Sequence, residues 1–222
     1  MTGTDSTRDR IVAAAKAEFA RHGIAGARVD RIAKAAHTSK ERVYAHFGNK
    51  EALYAYVASR ELAAAAEAIH LDPADLSSYA GQMFDYFTAH PDSHRFISWG
   101  RLELSTDPTG KPPATDRPDP YGEAILGKVE TVRRAQQTGD LDPTWDPIDV
   151  MTLVTQIAHA WIAQPELAGL ARLAATDPTL AARRTAVIRA VRTLFPPAPR
   201  PAAPSNHREH ATDAEESKGD ES

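Results

Sequence analysis

Residues 29–50 read VDRIAKAAHTSKERVYAHFGNK, and their apolar positions fall in two short helical registers separated by a polar turn. Val29, Ile32, Ala33 and Ala36 are spaced to share one face of a first helix, and Val43 and Phe47 repeat that spacing in a second. His37-Thr38-Ser39 interrupts the pattern. Thr38 with Glu41 three residues on fits a capping box, in which hydroxyl and carboxylate each satisfy a free backbone N–H, and Ser39 is an equally good cap. With Val43 and Phe47 turned inward, Glu41, Arg42, Tyr44 and Ala45 point outward, flanked by Ser39 and Lys40. Such a polar, cationic and aromatic face suits a DNA major groove, where Arg or Lys donates to guanine O6 and N7 and Glu accepts from cytosine N4. Tyr44, His46 and Lys50 are suitable donors to phosphate, and Asn49 can cap a helix starting at Lys50. Any small helical pair has a polar outer face, so periodicity alone leaves a non-reading pair open.

Charge distribution favours the reading face. The first 60 residues carry a formal charge of +5, the whole 222-residue chain −4, and the remainder therefore −9. A basic head on an acidic body points to contact with a polyanion through the head.

The stretch TRDRIVAAAKAEFARHGIAGARVDRIAKAAHTSKERVYAHFGNKEALYAYV, residues 7–57, closely resembles the DNA-binding domain of the TetR family of bacterial transcriptional regulators. The resemblance rests on the pattern IA..A....K..VY.HF.NKE.L. It implies that Arg28 sits near phosphate at the start of the first helix of the pair, and that Ser39, Lys40, Glu41 and Arg42 front the recognition helix. Tyr44, His46 and Lys50 then occupy backbone-contacting positions, and Thr38 at the turn completes the expected DNA-binding set. The chain departs from the family pattern twice. His37-Thr38 replaces the usual glycine-hydrophobic turn, so His37 must accept whatever φ the turn demands, and Arg28 stands where a Ser or Thr cap is common.

The rest of the chain reads as all-α. Ser6 or Thr7 can cap a first helix with Ile11, Ala14, Ala15 and Phe19 inward, closed by Gly23. Residues 50–70 form an alanine-rich linking helix, and helices follow over 76–89, 94–104, 121–137, 148–163 and 180–195, punctuated by proline. No alternating strand pattern and no repeat compete. Residues 105–120 have the composition of a loose connector, and residues 196–222, Pro-rich and then acidic, are expected to be disordered. The expected organisation is a DNA-binding domain over 1–49, a helical regulatory and dimerisation domain over 50–195, and that tail.

In the family the resemblance points to, the C-terminal helices enclose a small-molecule effector and form a homodimer, usually a four-helix bundle. Here the dimer helices would be 148–163, offering Ile148, Met151, Val154, Ile157, Ala158, Trp161 and Ile162, and 180–195, offering Leu180, Val187, Ile188, Val191, Leu194 and Phe195. Candidate pocket residues are Phe84, Phe87, Phe96, Trp99, Tyr121, Met151, His159 and Trp161, with Met83 and Trp145 as further possibilities and Trp99 preferred. The implied function is a repressor released from a palindromic double-stranded DNA operator by its effector. The alternative is a helical small-molecule or protein-binding module that does not read DNA.

Other classes find no support. There is no nucleophile elbow, phosphate-binding loop, dinucleotide fingerprint or zinc-protease pair, so no catalytic residue, cofactor or enzyme activity is expected. His90 and His94 stand four apart, but Pro91 breaks the interval, favouring capping over metal binding, and no metal site is expected. The chain has no cysteine, no bilayer-spanning apolar run and no signal-peptide core at its start, which leads to a cytoplasmic expectation with no membrane partner.

Overall fold

The computed structural model describes residues 6–104 and 120–197, with backbone alone for 103–104 and 120–122. Residues 105–119 of the expected connector and the tail from 198 lie outside the described residues, as does the side chain of Tyr121, while Pro120 already belongs to a helix. Ten α-helices are described: α1 (Thr7–Gly26), α2 (Val29–Ala35), α3 (Lys40–Phe47), α4 (Lys50–Ala68), α5 (Leu76–Ala89), α6 (Pro91–Leu104), α7 (Pro120–Thr138), α8 (Pro147–Ala163), α9 (Pro165–Ala174) and α10 (Leu180–Leu194). No strand occurs among the described residues.

Helix starts follow the caps. Ser6, Ser39, Asn49, Asp75, Asp146 and Thr179 each accept a backbone N–H from the first turn of the helix that follows. Pro91, Pro147 and Pro165 open helices at positions where a missing N–H costs nothing. α1 is kinked at Gly23, which holds φ 68°, so the helical register stops where the sequence expected it to and resumes for one short turn.

Two apolar cores result. The head core gathers Ile11, Phe19, Ile32, Val43, Leu53 and Val57 from α1 to α4, together with Phe96 from α6. The body core gathers Leu76, Tyr79, Phe84, Met151, Val154 and Val191, among others, from α5, α7, α8 and α10. α4 serves both: its first turns carry Leu53 and Val57 into the head, and Ala65 packs against the body. Entry of Phe96 into the head core means that the head is completed by a helix of the body, across the boundary drawn at residue 49.

α9 is an element that periodicity left unassigned. It buries no residue, and its leucines Leu167, Leu170 and Leu173 are exposed along one face.

Candidate DNA-reading head and internal cavity

The α2–turn–α3 unit is built by hydrogen bonds that the sequence only partly announces. Arg28 lacks a side-chain cap, and the carboxylate of Glu18 on α1 takes that role: its Oε1 accepts from the Arg28 backbone N–H at 2.9 Å and from Arg31 Nε at 2.7 Å. Burial opposes charge on Glu18, but the Arg31 guanidinium and the Arg28 N–H outweigh it and hold the carboxyl below the usual glutamate range. Arg10 Nε donates to the Ala36 carbonyl at 3.2 Å, tying the far end of α2 to α1.

The turn after α2 demands a left-handed residue, and His37 supplies it at φ 51°, alone among the described non-glycine residues. The flanking bonds explain why. His37 N–H donates to the Lys34 carbonyl and Thr38 N–H to the Ala33 carbonyl, the paired closure that satisfies the last carbonyls of a helix. Thr38 therefore ends α2 and does not cap α3. The Thr38–Glu41 capping box does not form: Ser39 is the cap, accepting from Arg42 N–H at 3.3 Å, and the Thr38 hydroxyl is enclosed without a hydrogen-bond partner.

On α3, Val43 is buried and Phe47 half-buried, while Ser39, Lys40, Glu41, Arg42, Tyr44, Ala45 and His46 are exposed. Lys40 Nζ lies 3.1 Å from Asp30, and the Arg28 guanidinium 3.9 Å from the same carboxylate, so one acid on α2 orients two cations beside α3. Lys50, half-buried, donates to the Ala25 carbonyl at 3.4 Å, at the α1–α2 turn. Behind this face Arg8 lies over the rings of Tyr56 and Phe47.

The body holds a small cavity of about 70 Å³. Its apolar part comes from Leu62, Ala65, Ala66 and Ile69 at the end of α4, Ile97 on α6, and Ala124 and Ile125 on α7. Phe87 and His159 close one side, with the His159 ring edge-on to Phe87 at 4.8 Å and to His94 at 5.1 Å. Arg101 and Lys128 bring two cations into the lining. Lys128 Nζ donates to the Tyr79 hydroxyl at 2.9 Å. Burial pushes Lys128 and Arg101 downward; burial followed by the charge of Arg101 lowers His94. His159 falls to about 3, through burial first and then His94 and Arg101.

Of the sequence-selected pocket residues, Phe87 and His159 line this cavity. Phe96 does not: its ring stacks on Tyr54 at 4.8 Å and meets Phe19 at 6.2 Å in the head core. Phe84 and Met151, with Met83, are packed solid in the body core. Trp99 is 37% exposed on the outer side of α6, and Trp161 lies under the Arg183 guanidinium at 4.8 Å. Trp145 meets Phe195 edge-on, away from the cavity. The residues missed were His94, Arg101 and Lys128. A signal existed: His94, Ile97, Ser98 and Arg101 share one helical face on α6, an inward stripe ending in a charge.

α6 joins the two sites. One face, through His94, Ile97, Ser98 and Arg101, lines the cavity. Its neighbouring face meets the head: Ser93 accepts from Lys16 Nζ at 3.0 Å, Phe96 enters the head core, and a Cβ at Gly100 would overlap the Tyr54 hydroxyl.

A helix-turn-helix head with an exposed polar reading helix, buttressed by a helix that lines a cavity in an all-helical body, defines a DNA-binding regulator of the one-component type. The chain belongs to the TetR family: residues 11–57 match the family model described as bacterial regulatory proteins, tetR family, and residues 75–193 match the tetracyclin repressor-like C-terminal domain. It is 35% identical over 163 residues to the HTH-type transcriptional repressor SCO4008 of Streptomyces coelicolor, covering 73% of this chain and 82% of that one. It is 30% identical over 136 residues to the HTH-type transcriptional repressor AcnR of Corynebacterium efficiens, covering 60% and 68%. Among solved structures, SCO4942 from Streptomyces coelicolor superimposes with a TM-score of 0.75 at 57% identity, over 86% of this chain and 99% of that one. The fatty acid degradation regulator FadR from Bacillus halodurans, at 18% identity and a TM-score of 0.56, shares the fold, over 84% of this chain and 96% of that one. The chain is thus a TetR-family transcriptional regulator and not an enzyme. No described helix is long and apolar enough to cross a membrane.

Proposed function

We propose that this regulator is a homodimeric repressor that reads a pseudo-palindromic operator and is released from it when a small molecule enters the body cavity. The observation that carries this reading is the double duty of α6, whose adjacent faces line the cavity and complete the head core. The alternative of a module that does not read DNA loses ground to the family membership and to the exposed cationic face of α3.

In this reading Ser39, Lys40, Glu41 and Arg42 meet base edges, while Arg28, Tyr44, His46 and Lys50 meet phosphate. Thr38 contributes by closing α2, since its hydroxyl is enclosed. The two heads enter successive major grooves, so the two-fold axis of the protein matches that of the operator. The dimer forms through α8 and α10. Much of the stripe offered by these helices, including Met151, Val154, Ala158, Val187, Val191 and Phe195, is buried within its own subunit, which leaves Ile148, Leu180 and Leu194 exposed for the partner. The two repressors named above match 73% and 60% of this chain, which supports repression over activation. Action on chromosomal DNA places the protein in the cytoplasm.

Effector binding acts through α6. A cavity of about 70 Å³ is far below the roughly 300 Å³ or more of a typical ligand site, so an occupant must push its walls apart. Displacement of α6 carries Phe96 and the Gly100–Tyr54 contact with it, and Tyr54 lies one turn into α4, the helix that follows α3 in the chain. A ten- to hundred-fold preference of the ligand for the displaced state, about 1.4–2.8 kcal/mol, is a sufficient switch. Fluorescence anisotropy of labelled duplexes across a salt series, with light scattering of the complex, tests the reading. A dimer per duplex with affinity falling steeply as salt rises is expected; a monomer that ignores salt would overturn it.

A further inference from the structure

Resting on the effector-cavity reading above, we infer that the ligand this cavity selects is a small neutral alcohol or phenol, its hydroxyl hydrogen-bonded to His159 Nε2 and its hydrocarbon part lying against Phe87, Ile97 and the alanines of α4 and α7. The lining is mostly apolar, with Ala65, Ala66 and Ala124 leaving room that larger side chains would fill. Its polar groups are largely committed elsewhere. Ser98 Oγ donates to the His94 carbonyl at 2.9 Å, Lys128 Nζ donates to the Tyr79 hydroxyl at 2.9 Å and lies 5.2 Å from the centre of that ring, and Arg101 has an interaction of its own. His159 Nε2 differs: it is enclosed and has no hydrogen-bond partner among the described residues.

The residue that carries this nitrogen is 6% exposed, lines the cavity, and is flanked by two rings, Phe87 edge-on at 4.8 Å and His94 edge-on at 5.1 Å. A buried nitrogen without a partner has lost its hydration and gained nothing in exchange, and an occupant that brings the partner removes that penalty. Protonation offers no escape, since burial, and then the charges of His94 and Arg101, hold the ring at about 3 and leave it uncharged at neutral pH. The chemistry of the missing partner follows. Nε2 of a neutral imidazole either carries the proton or accepts one, according to the tautomer, and a hydroxyl serves both cases because it donates and accepts. A carbonyl serves only the first, and a hydrocarbon neither. A charged end would have to shed its hydration in an apolar enclosure for one hydrogen bond to an uncharged ring, a far larger loss than a hydroxyl sustains.

Phenol and toluene share a shape and differ in the hydroxyl. Each is titrated by calorimetry into the full-length protein and its His159→Leu variant. The Nε2 nitrogen resonance of His159, and release of a duplex recovered by selection from randomised DNA, are followed in parallel. Water holds phenol more strongly than toluene, so the informative quantity is the change in the ratio of the two affinities when the side chain is replaced. Phenol is expected to release the duplex and to shift the Nε2 resonance far more than toluene does. The ratio of phenol to toluene affinity is expected to fall at least ten-fold in His159→Leu, about 1.4 kcal/mol of coupling, and His159→Met serves if the leucine variant unfolds. If the ratio is unchanged by the substitution while both compounds bind and release the duplex, the hydroxyl inference is overturned and the effector-cavity reading stands. If neither compound binds up to millimolar concentration, both are overturned.

Discussion

Tyr54 and Phe96 stack with ring centroids 4.8 Å apart, one ring from the linking helix α4 and the other from the body helix α6. Both rings also meet Phe19 of α1 edge-on, so three helices share one aromatic knot at the base of the head. The Tyr54 hydroxyl reaches over Gly100, one turn further along α6. In the proposed switch, this knot is the contact through which a shift of α6 reaches α4, the helix that follows the recognition helix.

Gly100→Ala tests that junction. In an exposed helix interior this change stabilises by about 0.5–1 kcal/mol, because alanine is the better helix former. Here the added Cβ overlaps the Tyr54 hydroxyl, and a loss of about 1–3 kcal/mol is expected in thermal or urea unfolding. Tyr54→Phe removes the overlapping oxygen and is expected to restore most of the loss, a coupling that a double-mutant cycle measures.

Glu18→Gln tests the buried cap of α2. It removes the charge that accepts from Arg28 N–H and Arg31 together, and a loss of about 1–3 kcal/mol is expected. The pH dependence has a definite sign. Because the folded carboxyl is held below the usual glutamate value, its contribution is complete above that value and fades as pH falls through the lowered one. The Gln variant is expected to lack that acid-sensitive component in urea titrations repeated across acidic pH.

His159 gives a second, separate acid response. Its value of about 3 when folded lies below the ordinary 6.5, so between those limits the unfolded chain binds a proton that the native one does not. Stability attributable to this ring is complete above about pH 6.5 and declines on acidification towards 3, by up to about 1.4 kcal/mol per pH unit. His159→Gln, which does not titrate, is expected to flatten the melting temperature against pH over that interval.

Arg42 and Lys50 divide the work of the head. Arg42 is exposed at the third position of α3, whereas Lys50 is half-buried at the start of α4 beside the Ala25 carbonyl. Arg42→Ala is expected to weaken specific binding by about 1–3 kcal/mol and relax preference at one base position. Lys50→Ala is expected to weaken all duplexes alike and reduce the salt slope by about one unit, both read by anisotropy on specific and random DNA.

The head was largely legible because its signals are local. Periodicity placed Val43 inward and Arg42 outward, and Asn49 capped α4 as its side chain suggests. His37, standing where glycine is usual, takes up the left-handed φ that the turn requires, with its side chain exposed. What escaped was non-local. The Glu18 cap on α2 bridges ten residues to Arg28, and no pattern in α1 marks it. α5 was read to its termini, because Asp72-Pro73 and Pro91 bracket it, whereas α9 was missed because its leucines face outward and no inward stripe announces a helix. The cavity was misread for a physical reason. Phe84 and Trp99 were chosen to line a space, but Phe84 is packed in the body core and Trp99 is turned outward; the opening lies where Ala65, Ala66 and Ala124 leave room, with Arg101 and Lys128 in its lining.

The central claim is that the head reads sequence as a symmetric dimer. The direct test mixes the purified protein with a pool of randomised duplexes at near-physiological salt and sequences the bound fraction. The account predicts an enriched inverted repeat whose half-sites are centred about one helical turn apart. A folded, dimeric protein that enriches no sequence would contradict it.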